Sequence, residues 1–348
     1  MADSKQAPLD SAAAAKAAFA SVQDKPFPNN IFTAPELRWA VIGCGVIANQ
    51  MAQSLALAGR KLAGVANRTL SKAQAFAEQY GVEKVYETIE DLYADPDIDA
   101  VYITTPHNTH ITYLRAALAA GKHVLCEKAI TLNSAELDEA RAIADEHNVV
   151  LMDATTVLHM PLYQELRRRM DAGDFGRMNL AQLNFGSYKE YGDLTNRFYN
   201  RNLAGGAMLD IGVYALSVMR LFMASQPIEV VSLGNTCETG VDVAGGIVCR
   251  NAEQQLGVVS LTLHSKQPKR SVISFDKCYI EVNEYPRADH ATIVWTVDGH
   301  REEVHAGTEA YALCYEMADL EKAVAGDDSK RELLGYASDV MELMTRLR

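Results

Sequence analysis

The stretch Arg38-Trp-Ala-Val-Ile42-Gly43-Cys-Gly45-Val-Ile-Ala48 decides the fold of this chain. An apolar run typical of a buried strand leads directly into two glycines, and a helix pattern follows over residues 47–57. Gly43 permits a tight turn, and Gly45 lets the backbone approach a ligand closely. The unpaired N–H groups at the start of the helix favour an anion such as a pyrophosphate. The stretch therefore predicts a dinucleotide-binding turn formed by Gly43, Gly45, Val46 and Ile47.

The same strand–helix pattern continues to about residue 155. Strand-like runs occupy residues 62–66, 84–86, 100–103, 123–126 and 149–152. The helices between them begin near residues 71, 88, 111 and 133. Strands that alternate with helices of about ten to fifteen residues predict parallel βαβ units. We therefore expect residues 36–155 to form a Rossmann domain, which is a doubly wound α/β fold.

Residues 156–348 have a different rhythm. Helix patterns at 161–170, 210–222, 309–325 and 330–347 accompany strand-like runs at 180–185, 228–233, 246–249, 256–263, 272–274, 278–282 and 292–297. Consecutive strands with hairpin-like spacing predict an α+β domain with a large, mainly antiparallel open sheet. Residues 1–35 are interpreted as an N-terminal arm or linker, which is either mobile or lies on a partner subunit.

Composition argues against several classes of protein. Lys and Arg number 33 and Asp and Glu number 45, so the formal net charge is −12. An acidic chain does not suit nucleic acid or an anionic membrane surface, and no uncharged apolar run approaches the ~20 residues that span a bilayer. The six cysteines have no C-x-x-C spacing, and the N-terminus lacks a secretory pattern. We expect a cytoplasmic protein with no metal site that binds neither nucleic acid nor membrane.

Three residues after the second strand bear on the choice of cofactor. A site that prefers NAD usually has Asp or Glu here, which binds the adenosine ribose. This chain has the neutral Asn67 followed by Arg68, with Lys72 about one helical turn further on. Two cations would attract a 2′-phosphate, and the alternative interpretation is two solvated surface charges. We predict NADP(H) as the favoured cofactor, with NAD(H) as the alternative.

Three more motifs complete the pattern. Thr104-Thr-Pro106-His-Asn108-Thr-His110 and Cys126-Glu127-Lys128 follow the fourth and fifth strands, at the carboxyl ends where open α/β sheets bind ligands. The second part contains Gly205-Gly206-Ala-Met-Leu-Asp210-Ile-Gly212-Val-Tyr214. Asp210 and Tyr214 share one face of a helix at this spacing and can address one ligand. Together with the glycine turn, these motifs resemble those of the Gfo/Idh/MocA oxidoreductases, in particular the dihydrodiol and xylose dehydrogenase-like branch, which has Tyr in place of His.

The resemblance covers about residues 37–345 and carries functional implications. It implies hydride transfer between a nicotinamide and a secondary alcohol or ketone of a sugar, cyclitol or related diol. It also implies a homodimer or homotetramer formed through the C-terminal sheet. Glu127 would lie near the nicotinamide ribose, and Lys128 would contact the cofactor and point at the substrate, whereas Ala129 stands where the family usually has Pro. The other cofactor contacts that we expect are Thr104, Thr105, Pro106, Asn108 and His110.

The proposed chemistry requires a proton exchanger. A tyrosine, with an ordinary pKa of about 10, exchanges protons poorly at neutral pH unless a cation lies nearby. We predict that Tyr214 exchanges the hydroxyl proton, Lys128 stabilises the oxyanion and Asp210 orients a neighbouring hydroxyl. Two alternatives stay open: a glycosidase or epimerase that retains its nicotinamide, and a noncatalytic NAD(P) sensor, which would not need these three residues. Further substrate contacts are expected at Thr156, His159 and Arg197.

Overall fold

The structure is a computed structural model that describes residues 11–23 and 25–348. The strands of its first sheet are β1 Trp39–Ile42, β2 Gly64–Ala66, β3 Lys84–Val85, β4 Ala100–Ile103, β5 His123–Cys126 and β6 Leu151–Asp153. They are parallel and lie in the order β3-β2-β1-β4-β5-β6. The predicted doubly wound sheet is confirmed, and its order brings the carboxyl ends of β1, β4 and β5 together at one edge.

Helices pack against this sheet. They are α2 Val46–Leu57, α3 Leu70–Tyr80, α4 Ile89–Ala94, α5 His110–Ala119 and α6 Ser134–Glu146, whereas α1 Ser11–Val22 lies against the turn Glu309–Tyr311 instead. Two of them begin at capping side chains: Thr88 accepts a hydrogen bond from the Asp91 N–H at 3.1 Å, and Asn133 accepts one from the Glu136 N–H at 3.0 Å. The central strands β1 and β4 are buried along their whole length, as in a parallel sheet covered on both faces.

The second sheet is mainly antiparallel, as predicted. Its strands are β7 Met178–Gly186, β8 Glu229–Thr236, β9 Asp242–Arg250, β10 Leu256–Thr262, β11 Gln267–Phe275, β12 Cys278–Asn283, β13 His290–Trp295 and β14 Arg301–His305. They lie in the order β14-β13-β12-β11-β7-β10-β9-β8, and only the β7–β10 pair is parallel among those described. Strand β14 was not predicted from the sequence. Its residues Arg-Glu-Glu-Val-His have little apolar content because it is an edge strand that charged side chains protect.

The helices of the second part divide between the two sheets. They are α7 Pro161–Asp171, α8 Val213–Phe222, α9 Ala312–Val324, α10 Asp328–Arg331 and α11 Leu333–Leu347. Helix α8 packs on β7 and α11 packs on α8, whereas α9 returns to the first sheet and packs against α2. Leu313 and Met317 of α9 share a buried cluster with Trp39 and Met51. A late segment of the chain therefore completes the covering of the first sheet.

The opposite face of the second sheet has no helical layer in the described structure. Val231 and Leu233 on β8 are 71% and 84% exposed, and Val248 on β9 is 49% exposed.

The helical stretch Arg201–Phe222 is long and apolar enough to cross a membrane, but 78% of its most apolar 18 residues are buried inside the protein. Such burial is typical of a core helix.

The described part of the N-terminal segment packs on its own chain. Val22 and Ile31 are buried with Tyr311, and the Phe27 ring meets that of Tyr311 edge-on at 5.1 Å between centroids. The Arg60 guanidinium lies 4.1 Å from the centroid of the Phe32 ring. The expectation of a separate arm is therefore corrected for residues 17–23 and 25–35, because their apolar side chains find a groove beside the start of α9. The rest of the predicted arm, residues 1–10 and 24, lies outside the described residues.

Candidate active site

The glycine turn has the geometry that a dinucleotide requires. Gly43 has a φ of +103°, and a Cβ there would lie 2.8 Å from Oγ1 of Thr104, which itself donates a hydrogen bond to the Ile42 carbonyl. A Cβ on Gly45 would meet no atom within 4 Å, so the space above this residue is open. No side chain caps α2 at Gly45, and the first N–H groups of the helix are free to bind a pyrophosphate. These groups belong to Val46, Ile47 and Ala48.

The residues predicted to choose between NADP(H) and NAD(H) lie beside this turn. Arg68 and Lys72 are exposed. The Gly43 N–H donates a hydrogen bond to the carbonyl of Ala66, the last residue of β2, at 2.9 Å, so Asn67 and Arg68 follow beside the glycine turn. Asn67 donates a hydrogen bond from Nδ2 to the Thr69 carbonyl at 3.0 Å. Two exposed cations therefore follow the strand end that lies next to this turn.

The loop after β4 is held by its own polar groups. The Thr109 hydroxyl donates to the Thr105 hydroxyl at 2.8 Å, and Pro106 is exposed at the bend. His110 is fully buried, with its two ring nitrogens 2.8 Å from the Thr105 carbonyl oxygen and 3.0 Å from the Ala129 carbonyl oxygen. The prediction of His110 as a cofactor ligand is wrong. Both ring nitrogens contact backbone, so this side chain braces the loop after β4 against the loop after β5.

Two other residues of this loop face the site. Asn108 donates from Nδ2 to the Asn202 carbonyl at 3.0 Å, while its buried Oδ1 has no hydrogen-bond partner in the described structure. An unpartnered buried acceptor fits a ligand that supplies a hydroxyl or amide donor. His107 was not predicted as a site residue, although it lies within the motif. Burial and the charge of Lys128 lower its pKa to about 3, so the imidazole is neutral at physiological pH.

Lys128, Asp210 and Tyr214 converge from the end of a strand of the first sheet and from a helix that packs on the second sheet. Lys128 follows β5, and its peptide bond to Ala129 is cis. Its Nζ lies 2.7 Å from the Asp210 carbonyl oxygen, 3.2 Å from Asp210 Oδ1 and 4.9 Å from the centroid of the Tyr214 ring. Asp210 lies in the π-helical turn Met208–Gly212 that leads into α8, and Tyr214 is in the first turn of that helix. Asp210 and Tyr214 therefore both contact Lys128, and their binding of one common ligand stays a prediction.

The ionisation of these groups follows from burial and from one another. Burial raises the pKa of Asp210, but Lys128 and Arg197 outweigh it and hold that pKa at about 2. Burial lowers the pKa of Lys128, yet Tyr214 and Asp210 produce a net rise. Burial also raises the pKa of Tyr214, against the effect of Lys128. At neutral pH the site therefore presents an ammonium, a carboxylate and a protonated phenol.

Glu127 has buried partners that sequence reasoning missed. Its Oε1 accepts a hydrogen bond from the Tyr102 hydroxyl, which also lies 3.3 Å from Oε2 of Glu316 on α9. Burial raises the pKa of Glu127, and burial together with Glu127 raises the pKa of Glu316 to about 7. No sequence signal could have identified Glu316, because it is distant along the chain and lies on a helix whose charges suggest a solvated face.

Two predicted substrate contacts are buried. Thr156 is 4% exposed and His159 is 1% exposed. His159 contacts the Asp319 carboxylate at 3.1 Å through Nδ1 and the Asp153 carbonyl oxygen at 2.8 Å through Nε2. His159 is therefore held in the contact between the loop after β6 and α9, and its assignment to the substrate pocket is wrong, whereas the assignment of Thr156 stays a prediction. Arg197 does reach the site, with Nη2 3.7 Å from Asp210 Oδ1.

The chain joins a Rossmann sheet with an open glycine turn to an antiparallel-sheet domain that supplies a carboxylate and a phenol. This combination defines a nicotinamide-dependent oxidoreductase. Comparison with known protein families places the chain within one family. Residues 37–155 match the model of the oxidoreductase family with an NAD-binding Rossmann fold, and residues 163–281 match the GFO/IDH/MocA C-terminal domain. The chain belongs to the Gfo/Idh/MocA family and is an NAD(P)-dependent oxidoreductase, as the sequence motifs predicted.

Individual relatives agree with this placement. The trans-1,2-dihydrobenzene-1,2-diol dehydrogenase of Mus musculus is 31% identical over 273 residues, which cover 77% of this chain and 79% of the mouse protein. The fold matches KijD10, a 3-ketoreductase from Actinomadura kijaniata in complex with NADP and TDP-benzene, with a TM-score of 0.76, 24% identity, and coverage of 89% and 96% of the two chains. It also matches a levoglucosan dehydrogenase in complex with NADH and levoglucosan, with a TM-score of 0.77, 20% identity, and coverage of 89% and 97%.

Proposed function

We propose that this protein transfers a hydride between NADP(H) and a secondary alcohol or ketone of a sugar, cyclitol or related diol. The observation that carries the proposal is the convergence of Lys128, Asp210 and Tyr214 beside the cofactor edge of the first sheet. An ammonium, a carboxylate and a phenol together can hold a diol and exchange its proton. The diol and sugar substrates in the names of the relatives support the same substrate class.

Each residue has a defined part in the reaction. When bound, the nicotinamide supplies a hydride to the substrate carbon in reduction, or accepts one in oxidation. In reduction, the Tyr214 phenol gives its proton to the carbonyl oxygen, whose π electrons form the new O–H bond, and the phenolate regains a proton from solvent. Lys128 stabilises negative charge on the substrate oxygen and on the phenolate. Asp210, which is ionised at neutral pH, accepts a hydrogen bond from a neighbouring hydroxyl and orients the substrate.

The preference for NADP(H) rests on Arg68 and Lys72. Both are exposed, and neither forms an ion pair within the described residues. A 2′-phosphate would bind there through charge-assisted hydrogen bonds, whereas a bare ribose offers these cations nothing to pair with. We therefore assign NADP(H) as the favoured cofactor and NAD(H) as the weaker one.

A second copy of this chain is the proposed partner. The uncovered face of the second sheet carries Val231, Leu233 and Val248 in one exposed apolar strip, and Leu256 and Tyr279 extend it. Isolated apolar side chains on a surface are ordinary, but a contiguous strip on an open sheet is typical of a subunit interface. We propose a homodimer or homotetramer that buries this strip.

A panel of sugars, cyclitols and cyclic diols, assayed by the absorbance change of NADPH and of NADH, tests the proposal. Substrate-dependent turnover with NADPH, and slower turnover with NADH, is the expected result. A nicotinamide that copurifies and is never consumed in bulk would instead indicate a glycosidase or epimerase. Tight cofactor binding with no turnover on any compound would indicate a sensor.

A further inference from the structure

Lys189 is a cation at the mouth of the site that the proposed chemistry does not use. It lies three residues beyond the end of β7, and its backbone is fixed at both polar atoms. Its N–H donates to the Leu263 carbonyl at 2.8 Å, and its own carbonyl accepts from the Tyr199 hydroxyl at 2.9 Å. The position of this lysine is therefore set by the sheet framework.

The side chain of Lys189 lies with the substrate-facing residues. Its Nζ is 4.3 Å from the centroid of the Phe198 ring, and the Arg197 guanidinium carbon is also 4.3 Å from that centroid. Arg197 in turn reaches the carboxylate of Asp210 at 3.7 Å. The Phe198 ring thus holds Lys189 and Arg197 close together, beside the same Asp210 carboxylate that Lys128 contacts.

These cations outnumber the carboxylates that could neutralise them. Lys128 and Arg197 share Asp210, and Lys269 pairs with Glu284 at 2.8 Å. Within the part of the chain that the structure describes, no carboxylate lies within salt-bridge distance of Lys189, and its Nζ donates no hydrogen bond. The local excess of positive charge contrasts with the net charge of −12 of the whole chain.

The surroundings of Lys189 make this arrangement unfavourable in the absence of a ligand. Burial lowers its pKa, and the charges of Arg197, Lys128 and Lys269 lower it further, while Asp210 opposes them. A partly desolvated ammonium among other cations costs free energy unless an anion joins it. Groups kept in such an environment within a cleft are frequently binding groups.

The phosphates of the cofactor do not supply that anion. The pyrophosphate fits the N-terminus of α2, and the proposed site for the 2′-phosphate lies at Arg68 and Lys72 on the first sheet. Lys189 and Arg197 both belong to the segment after β7 in the second part of the chain. The anion that they accept must therefore come from the substrate.

We propose that the substrate is an anionic sugar or cyclitol, whose carboxylate or phosphate binds between Lys189 and Arg197. This inference rests on the proposed function and adds the substrate class. The anionic group is held beside the hydroxyl that Asp210 orients, so the reacting carbon lies between the anion site and Lys128. Neutral diols lack the group that neutralises Lys189 and bind more weakly.

Matched compounds test this inference. Glucose is compared with glucuronate and with glucose 6-phosphate, and xylose and myo-inositol are each compared with a phosphate ester, both as substrates and as ligands of the NADPH complex, detected by NADPH fluorescence. We expect at least one anionic member to exceed its neutral parent in kcat/KM or affinity by about tenfold or more, which corresponds to ~1.4 kcal/mol. Whether the carboxylate or the phosphate binds better distinguishes the two sources of the anion.

Variants of Lys189 complete the test. Lys189→Met should lower the preference for the anion about tenfold, through KM, while NADPH affinity and activity on neutral compounds persist, and Lys189→Arg should restore the preference. Lys266→Met, an exposed lysine on the adjacent segment, is the control and should behave as the wild type. Neutral compounds that bind as well as every anion, or an anion preference unchanged in Lys189→Met, would overturn the inference. Efficient turnover of neutral diols alone would leave the proposed function intact, which separates the two failures.

Discussion

The Lys128 ammonium joins the two halves of the site by donating to the Asp210 carbonyl oxygen at 2.7 Å and to its carboxylate at 3.2 Å, across 82 residues of sequence. The contact links the end of β5 to the π-helical turn before α8. It also places the ammonium 4.9 Å from the centroid of the Tyr214 ring. One side chain therefore links the cofactor edge of the first sheet to Asp210 and Tyr214 in the second part of the chain.

Replacing Lys128 tests that role. Lys128→Met keeps much of the side-chain volume but removes the charge that stabilises the oxyanion and the phenolate. We expect kcat to fall about 10²- to 10³-fold, as for the loss of one oxyanion donor, while NADPH affinity changes only slightly. Turnover and fluorescence titration measure the two quantities, and turnover equal to that of the wild type would remove Lys128 from the mechanism.

Tyr214→Phe removes the proton donor and leaves the ring. We expect a loss of about 10²- to 10⁴-fold in kcat with the substrate KM little affected. Because the pKa of Tyr214 is raised, the phenol stays protonated through neutral pH, so reduction by the wild type should decline only on the alkaline side. A variant that retains the alkaline decline and most of the activity would show that another group donates the proton.

The two cations after β2 should determine cofactor preference. The double variant Arg68→Ala with Lys72→Ala loses the charges that face the 2′-phosphate, so the Kd for NADPH should rise at least about tenfold and that for NADH should stay nearly constant. The wild-type preference should also weaken with added salt. Lys61→Ala is the control, because exposed Lys61 precedes β2 and lies at the opposite end of that strand. Equal loss of affinity for both cofactors would contradict the assignment.

Glu316 should make the protein less stable as pH rises. Its folded pKa of about 7 lies above its ordinary value of 4.5, so the folded state holds the proton more tightly than the unfolded state. The resulting stability is complete below about pH 4.5 and is lost as pH rises through 7, with a limit on the order of 3 kcal/mol. Raised pKa values of Asp153 and His159 act in the same direction.

Glu316→Gln tests this sign. The decline in the free energy of unfolding between pH 5 and pH 8, measured by denaturant titration, should be smaller in this variant than in the wild type. Glu342→Gln, an exposed carboxyl on α11, is the matched control and should follow the wild-type profile. Parallel profiles for wild type and Glu316→Gln would mean that the buried carboxyl does not take up a proton on folding.

The exposed strip on the second sheet should hold the subunits together. Val231→Glu with Leu233→Glu places two charges in the proposed interface, where they would be desolvated without partners. We expect light scattering to show a shift toward monomers at micromolar concentration. Val297→Glu changes a side chain that is 95% exposed between β13 and β14 and should leave the assembly intact. An unchanged mass for the double variant would exclude this face as the interface.

Much of the first sheet could be predicted because its signals are local. The apolar strands, the glycine turn and the helix caps are each encoded within a few neighbouring residues, and the structure reproduces all of them. The strands of the second sheet were harder to predict from the sequence. β14 carries a single buried valine among charged residues, and the edge position that explains this composition is visible only when the neighbouring strand is in place.

Some residues of the candidate site could likewise be predicted from the sequence, and others could not. Lys128, Asp210 and Tyr214 could be found from motif spacing, whereas His110 and His159 were misassigned. These two are polar residues in motif-like loops, but their ring nitrogens contact partners within the protein. Sequence position near a ligand-binding edge does not reveal whether a side chain points toward the ligand or into the core.

The sequence by itself determined that this chain builds a dinucleotide-binding sheet and carries the residue types of an alcohol–ketone oxidoreductase. Only the tertiary structure decided that α9 would bury Glu316, Asp319 and Glu321 against the first sheet, where Glu321 accepts a hydrogen bond from Trp39 at 3.0 Å. It also decided that Lys189 would lie beside Arg197 on the Phe198 ring, with no carboxylate within salt-bridge distance among the described residues. The physical reason is that strand and helix periodicity is a property of neighbouring residues. The partners that neutralise a buried charge are chosen by contacts between segments far apart in the chain.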